Sequence, residues 1–187
     1  MVKGSSLVKR RFYRKRRMSF LKAISNYSYT KFSTCDRIAY DGTGIKLAVA
    51  NSPQYSLYQY LDKCNDWGTY KTLYASYKVV ALKLTIVPLT PQEGFATVHS
   101  AAIAYAANTD QVDLPGTIES NKSVMLSPYT KVGAFWRLNG GLTGWENSNS
   151  PSQTPGRIQV AATGNPSSGG ITWSVRFDIY VMFKNTI

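Results

Sequence analysis

"TWSVRFDIYVMFK", residues 172–184, decides the fold class. Trp173, Val175, Phe177, Ile179, Val181 and Phe183 point one way, and Thr172, Ser174, Arg176, Asp178, Tyr180 and Lys184 the other. Period-two alternation of this kind marks a long strand with one face in a core. Upstream, "KVVALKLTIVP" (78–88) repeats the pattern: Val80, Leu82, Leu84 and Ile86 form the apolar face, Lys83 and Thr85 the polar one, and Pro88 ends the pairing.

Shorter strand candidates lie at 26–38, 45–50, 97–106, 122–127, 133–139 and 157–162, making eight in all. The segments between them are rich in Gly, Pro, Ser and Asn, notably "NGGLTGWENSNSPSQTPG" (139–156) and "TGNPSSGG" (163–170), as turns and exposed loops require. One stretch has a helical period: in "DWGTYKTLYASY" (66–77), Trp67, Tyr70, Leu73, Tyr74 and Tyr77 recur at three and four, with Asp66 placed to cap the first turn. Eight strands with a single short helix predict an all-β fold, an antiparallel two-sheet sandwich.

The charge is unevenly placed. The chain carries 22 Lys and Arg against 10 Asp and Glu, and nine of those cations fall in the first 22 residues. The remainder holds 13 against 10, so the organisation expected is a basic arm, 1–25, ahead of one domain, 26–187. The arm's centre, "KRRFYRKRR", packs Lys9, Arg10, Arg11, Arg14, Lys15, Arg16 and Arg17 around Phe12 and Tyr13, and no acid precedes Asp36. Lys and Arg neutralise phosphates and release condensed counterions whatever the base sequence. The two aromatic rings inside the run suit stacking on unpaired bases, worth ~1–3 kcal/mol each, which favours single strands over duplex. The same seven cations fit a nuclear-localisation patch. Extended, 22 residues reach about 70 Å.

With those residues in view, the chain resembles the capsid proteins of circular single-stranded DNA viruses, circovirus-like ones in particular. The resemblance rests on the basic aromatic arm, on about eight strands behind it, and on "YKTLYASYKVVALKLTIVPLTP" (70–91), where an aromatic helix runs through the Tyr77-Lys78 pair into an alternating strand ended by Pro88. It implies a single jelly roll that assembles into a sixty-subunit, T=1 icosahedral shell around a single-stranded genome, DNA in preference to RNA, in a virion assembled in the host nucleus. Satellite RNA virus capsids share that architecture, and a cellular nucleic-acid-binding module with a basic tail is the alternative from another class.

Other constellations are weaker. Tyrosines crowd into 55–77, and amphipathic aromatics are favoured at buried interfaces, so Tyr55, Tyr58 and Tyr60 are candidate subunit contacts. His99 has no partner His or carboxylate nearby in sequence, "GNPSSGG" lacks the Lys-Ser/Thr of a phosphate loop, and Asp110 with Asp113 reads as a polar loop ahead of a calcium site. Cys35 and Cys64 are expected to be reduced thiols. No metal, cofactor or catalytic role is expected. No apolar run reaches the ~20 residues of a membrane-spanning helix, so no membrane insertion is expected.

Overall fold

A computed structural model describes residues 27–41, 43–89, 100–107, 113–119, 122–138, 144–148, 156–163 and 170–186. Its longest strands are those with the cleanest alternation: β1 (Ser28–Asp41), β4 (Tyr74–Pro88) and β10 (Ile171–Thr186). β10 lies antiparallel between β1 and β4, with Phe177 opposite Thr34 on one side and Leu84 on the other. β7 (Val132–Arg137) pairs with the far side of β4, β2 (Gly44–Leu47) forms a hairpin with β1, and β8 (Glu146–Asn147) adds a short bridge to β4. The second sheet runs β3 (Gln54–Ser56), β9 (Arg157–Ala162), β5 (Ala101–Ala106), β6 (Ser123–Met125). Orders β1-β10-β4-β7 and β3-β9-β5-β6 are those of a jelly roll, in which the chain alternates between the sheets and closes two Greek keys.

The fold class stands, and the counts change. Among the described residues there are ten strands and three short helices, α1 (Leu57–Asp62), α2 (Trp67–Leu73) and α3 (Leu114–Glu119), where eight strands and one helix were expected. The stretch expected as a strand at 45–50 is the edge hairpin, and the strand that fills the corresponding place in the second sheet is β3. The expected helix over 66–77 stops at Leu73. Tyr74 and Tyr77 are instead drawn into β4, paired with Thr186 and Phe183 of β10. Asp66 is the N-cap residue by position, but its carboxylate makes no capping hydrogen bond.

The core fills the space between the sheets. All six apolar residues predicted on β10 are buried, from Trp173 to Phe183. On β4 the phase changes in mid-strand: Leu82, Leu84 and Ile86 are buried as expected, whereas Val80 is not, and Val79 and Tyr77 take the core positions instead. The cause is a bulge. Tyr180 faces Ala81 and Val181 faces Val79, so Val80 is the unpaired extra residue and every side chain N-terminal to it switches face. In β5, Ile103 and Tyr105 face the core, while the small side chains Ala102 and Ala104 let α3 settle on the other face of the sheet. There Gln159 Nε2 donates to Thr117 Oγ1 at 3.3 Å, both side chains being buried.

Candidate nucleic-acid interface and subunit-contact surface

The cations and rings of the arm, Lys9 to Arg17, lie outside the described residues, as do His99, Asp110 and most of the 139–156 and 163–170 loops. The described chain begins at Tyr27, whose ring stacks on Trp145 with centroids 5.7 Å apart. Lys184 Nζ sits 4.3 Å over that same indole. The root of the arm is therefore joined to the end of β10, at a corner of the six-stranded sheet.

The face of that sheet turned away from the core is built by register. Crossing from β1 through β10 to β4 and β7, Cys35, Arg176, Thr85 and Gly133 form one row, and Ser33, Asp178, Lys83 and Phe135 the next. Lys31, Tyr180, Ala81 and Arg137 follow, then Tyr29, Met182 and Lys78, with Lys184 and Arg37 at opposite ends of the face and Lys46 on β2 opposite Ala39. Eight cations thus share one face with two acids, Asp41 and Asp178, whereas the rest of the described residues hold five cations and six acids.

Both acids of the face are engaged. Asp178 Oδ1 accepts from Ser33 Oγ at 2.7 Å and from Arg176 Nε at 3.0 Å. Burial works to raise its carboxyl, but those hydrogen bonds and the charges of Arg176 and Lys31 outweigh burial and hold it below the usual carboxylate range. Asp41 accepts from Thr43 and lies 4.0 Å from Lys46. Phe135, 54% exposed, meets Tyr180 edge-on with centroids 6.0 Å apart in the middle of the cations. In the sequence these side chains are scattered over separate strands, and only the pairing shows that they converge.

The tyrosine cluster divides. Tyr60 is a correction: its side chain is wholly buried, packed 4.5 Å from Phe177 and edge-on to Tyr55, and its hydroxyl donates to Asp36 Oδ2 at 2.7 Å. Burial first, and then the Asp36 carboxylate, push its phenol far above the ordinary value. A side chain committed in this way to its own subunit's core is not available to another subunit. Tyr55 and Tyr58 are half-buried. Tyr55 lines a shallow pocket with Gln54, Ser56, Gln59 and Arg157 at the β3 edge, and Tyr58 accepts from Lys71 Nζ at 3.3 Å.

Elsewhere the chemistry is structural. Asp113 Oδ1 accepts from the Gly116 N–H at 3.1 Å, which makes it a cap for α3. Cys35 is exposed and Cys64 buried; both are free, and burial pushes the Cys64 thiol up to about 11. Among the described residues no group of three His, Cys, Asp or Glu is placed to hold a metal ion, and no helix is long and apolar enough to cross a membrane.

No protein-family model and no curated protein matches the chain. Solved structures do. The chain is similar to Macrobrachium rosenbergii nodavirus in a semi-empty virus-like particle, with 8% identity, 86% of this chain and 95% of that one covered, and a TM-score of 0.62. It is similar to Cocksfoot mottle virus at 10% identity, covering 86% and 96%, with a TM-score of 0.59. It also matches the BFDV capsid protein solved as a 60-mer, at 12% identity, covering 85% and 94%, with a TM-score of 0.53. At these identities the likeness establishes the fold, the jelly roll of viral capsid proteins. It extends over several kinds of virus and does not single out the circovirus-like group.

Proposed function

We propose that the chain is a viral capsid protein whose copies form a closed icosahedral shell, T=1 with sixty subunits, around single-stranded nucleic acid held by the basic arm. The observation that carries this reading is the strand path β1-β10-β4-β7 over β3-β9-β5-β6, matched over most of its length to capsid proteins, in a chain that also bears a run of seven cations. In this reading Lys9 to Arg17 neutralise phosphates, and Phe12 with Tyr13 stack on bases, which supports a single-stranded cargo. The resemblance at 70–91 favours DNA over RNA and, with it, use of the same cluster as a nuclear address. Tyr55 on β3 and Tyr58 on α1 supply subunit contacts.

Expression of the full chain followed by light scattering and negative-stain microscopy tests the assembly. Sixty copies of 20.8 kDa give about 1.2 MDa, and a species that stays near the mass of one or two chains under all assembly conditions defeats the proposal. Nuclease digestion and sequencing of the copurified nucleic acid identify the cargo. Cytoplasmic retention of a fluorescent protein fused to residues 1–25 would remove the nuclear role.

A further inference from the structure

The arm accounts for most of the chain's net charge, yet the folded body is not electrically uniform. Its positive charge is gathered on the outer face of the six-stranded sheet, where Lys31, Arg37, Lys78, Lys83, Arg137 and Lys184 come from four different strands. None of these six forms an ion pair within 4.0 Å among the described residues; the ion pairs there are Lys46–Asp41, Lys71–Asp62 and Arg176–Asp178. Like charges collected on one pleated surface repel, and such an arrangement is stabilised when a polyanion lies across it.

We propose that this sheet face is a second nucleic-acid-binding surface, continuous with the arm, on which single-stranded nucleic acid lays its phosphates on the six cations and its bases on Tyr180 and Phe135. The proposal rests on the capsid reading above and places the body's own contribution to packaging. From Lys31 to Arg137 three strand spacings give roughly 14 Å, and from Arg37 to Lys31 six residues give roughly 20 Å. That area takes a short run of nucleotides. The aromatic pair stands among the cations, with Phe135 more than half exposed, so a base reaches a ring while its phosphate reaches Lys83 or Arg137. The Tyr27–Trp145–Lys184 stack brings the point where the arm joins the fold to the end of this same face. The face recognises features common to every nucleotide, so it reads no sequence.

The test is the salt dependence of binding to fluorescent single-stranded DNA and RNA oligonucleotides, measured on the full chain. Each phosphate contact on a single strand contributes about −0.7 to the slope of log K against log salt. Neutralising Lys31, Lys83 and Arg137 together (Lys31→Gln, Lys83→Gln, Arg137→Gln) is expected to make the slope shallower by about 2 with both acids. The off-face control Lys63→Gln with Lys122→Gln, at the end of α1 and beside β6 of the other sheet, is expected to leave it unchanged. A chain whose seven cations at 9–17 are changed to Gln is expected to keep a slope of about −4, the value for six remaining contacts. Circular dichroism confirms that each variant is folded, and Lys83→Arg with Arg137→Lys, which keeps the charge, is expected to retain native binding.

A native slope in the triple variant, or an equal change in the control, overturns the proposal and leaves the capsid reading standing. Absence of salt-dependent binding by the unaltered chain overturns both.

Discussion

Tyr60→Phe is the substitution that most directly tests whether the tyrosine segment belongs to the core. Asp36 is 7% exposed and Tyr60 is not exposed at all, so the carboxylate depends on protein donors. It has three: Tyr60 Oη on Oδ2 at 2.7 Å, and the N–H groups of Arg37 and Val49 on Oδ1 at 2.7 and 3.0 Å. The phenylalanine ring keeps the contacts with Phe177 and Tyr55, and only the hydroxyl is lost. A hydrogen bond to a charged group is worth ~1.5–3 kcal/mol, and here its removal leaves Oδ2 buried without that donor. At roughly 2–4 °C per kcal/mol for a domain of this size, the melting temperature should fall by about 3–12 °C. Thermal denaturation of unassembled subunits, followed by circular dichroism, reads this directly. A melting temperature within 1 °C of the parent's, together with lost assembly, would refute the reasoning and return Tyr60 to the subunit surface. Tyr60→Ser also removes the ring, a further ~3–5 kcal/mol by analogy with aromatic truncations. Of the two tyrosines only Tyr58 retains exposed surface, so Tyr58→Ser alone is the variant expected to stay folded but fail to assemble.

Three further predictions concern the body. Val79→Ala should cost about 2 kcal/mol in urea denaturation and Val80→Ala less than half of that, because the bulge puts only Val79 in the core; equal losses would remove the bulge. Gly156 has φ +98°, and a Cβ there meets the Tyr105 ring, so Gly156→Ala combines left-handed strain with a clash and should cost about 3 kcal/mol or more by the same assay. Burial raises the phenols of Tyr60, Tyr77 and Tyr105, the last to about 12. The unfolded chain therefore loses these protons first, so the stabilisation is complete below pH ~10 and is lost above it, at about 4 kcal/mol per pH unit for three groups. A urea midpoint that stays flat from pH 9 to 11.5 would contradict that sign.

What was legible in the sequence, and what was not, follows from how each feature is encoded. The β10 face is written in six alternating bulky residues with polar ones between them, so a period-two reading places all six correctly. The same reading fails at Val79-Val80-Ala81-Leu82 because four consecutive apolar residues carry no phase, and only the pairing with Tyr180 and Val181 shows where the extra residue sits. β3 is three residues long and runs straight into α1, too short for any period to register. Tyr60 was misassigned for a related reason. Its aromatic neighbours in sequence suggest a surface patch, whereas its partner Asp36 lies 24 residues away and is brought to it by the fold.

The basic face shows the same limit most consequentially. After the first 22 residues the chain holds 13 cations and 10 acids, a near-neutral count that points to no partner. Strand pairing then places eight of those cations on one side with two acids. A linear charge count cannot anticipate this, since β1, β2, β4, β7 and β10 each contribute only one or two of the eight. The arm and the face differ in what they ask of nucleic acid. Cations on a hydrogen-bonded sheet keep intervals set by strand geometry, about 4.8 Å across and 6.8 Å along. A nucleic-acid strand that satisfies those intervals gives up conformational freedom to do so, and on the proposed reading phosphate contacts made by the arm would hold it close and raise its effective concentration at the face. In the proposed packaging, capture by the arm and ordering on the sheet are successive uses of one positive field, and the salt slope of the arm-neutralised chain isolates the second.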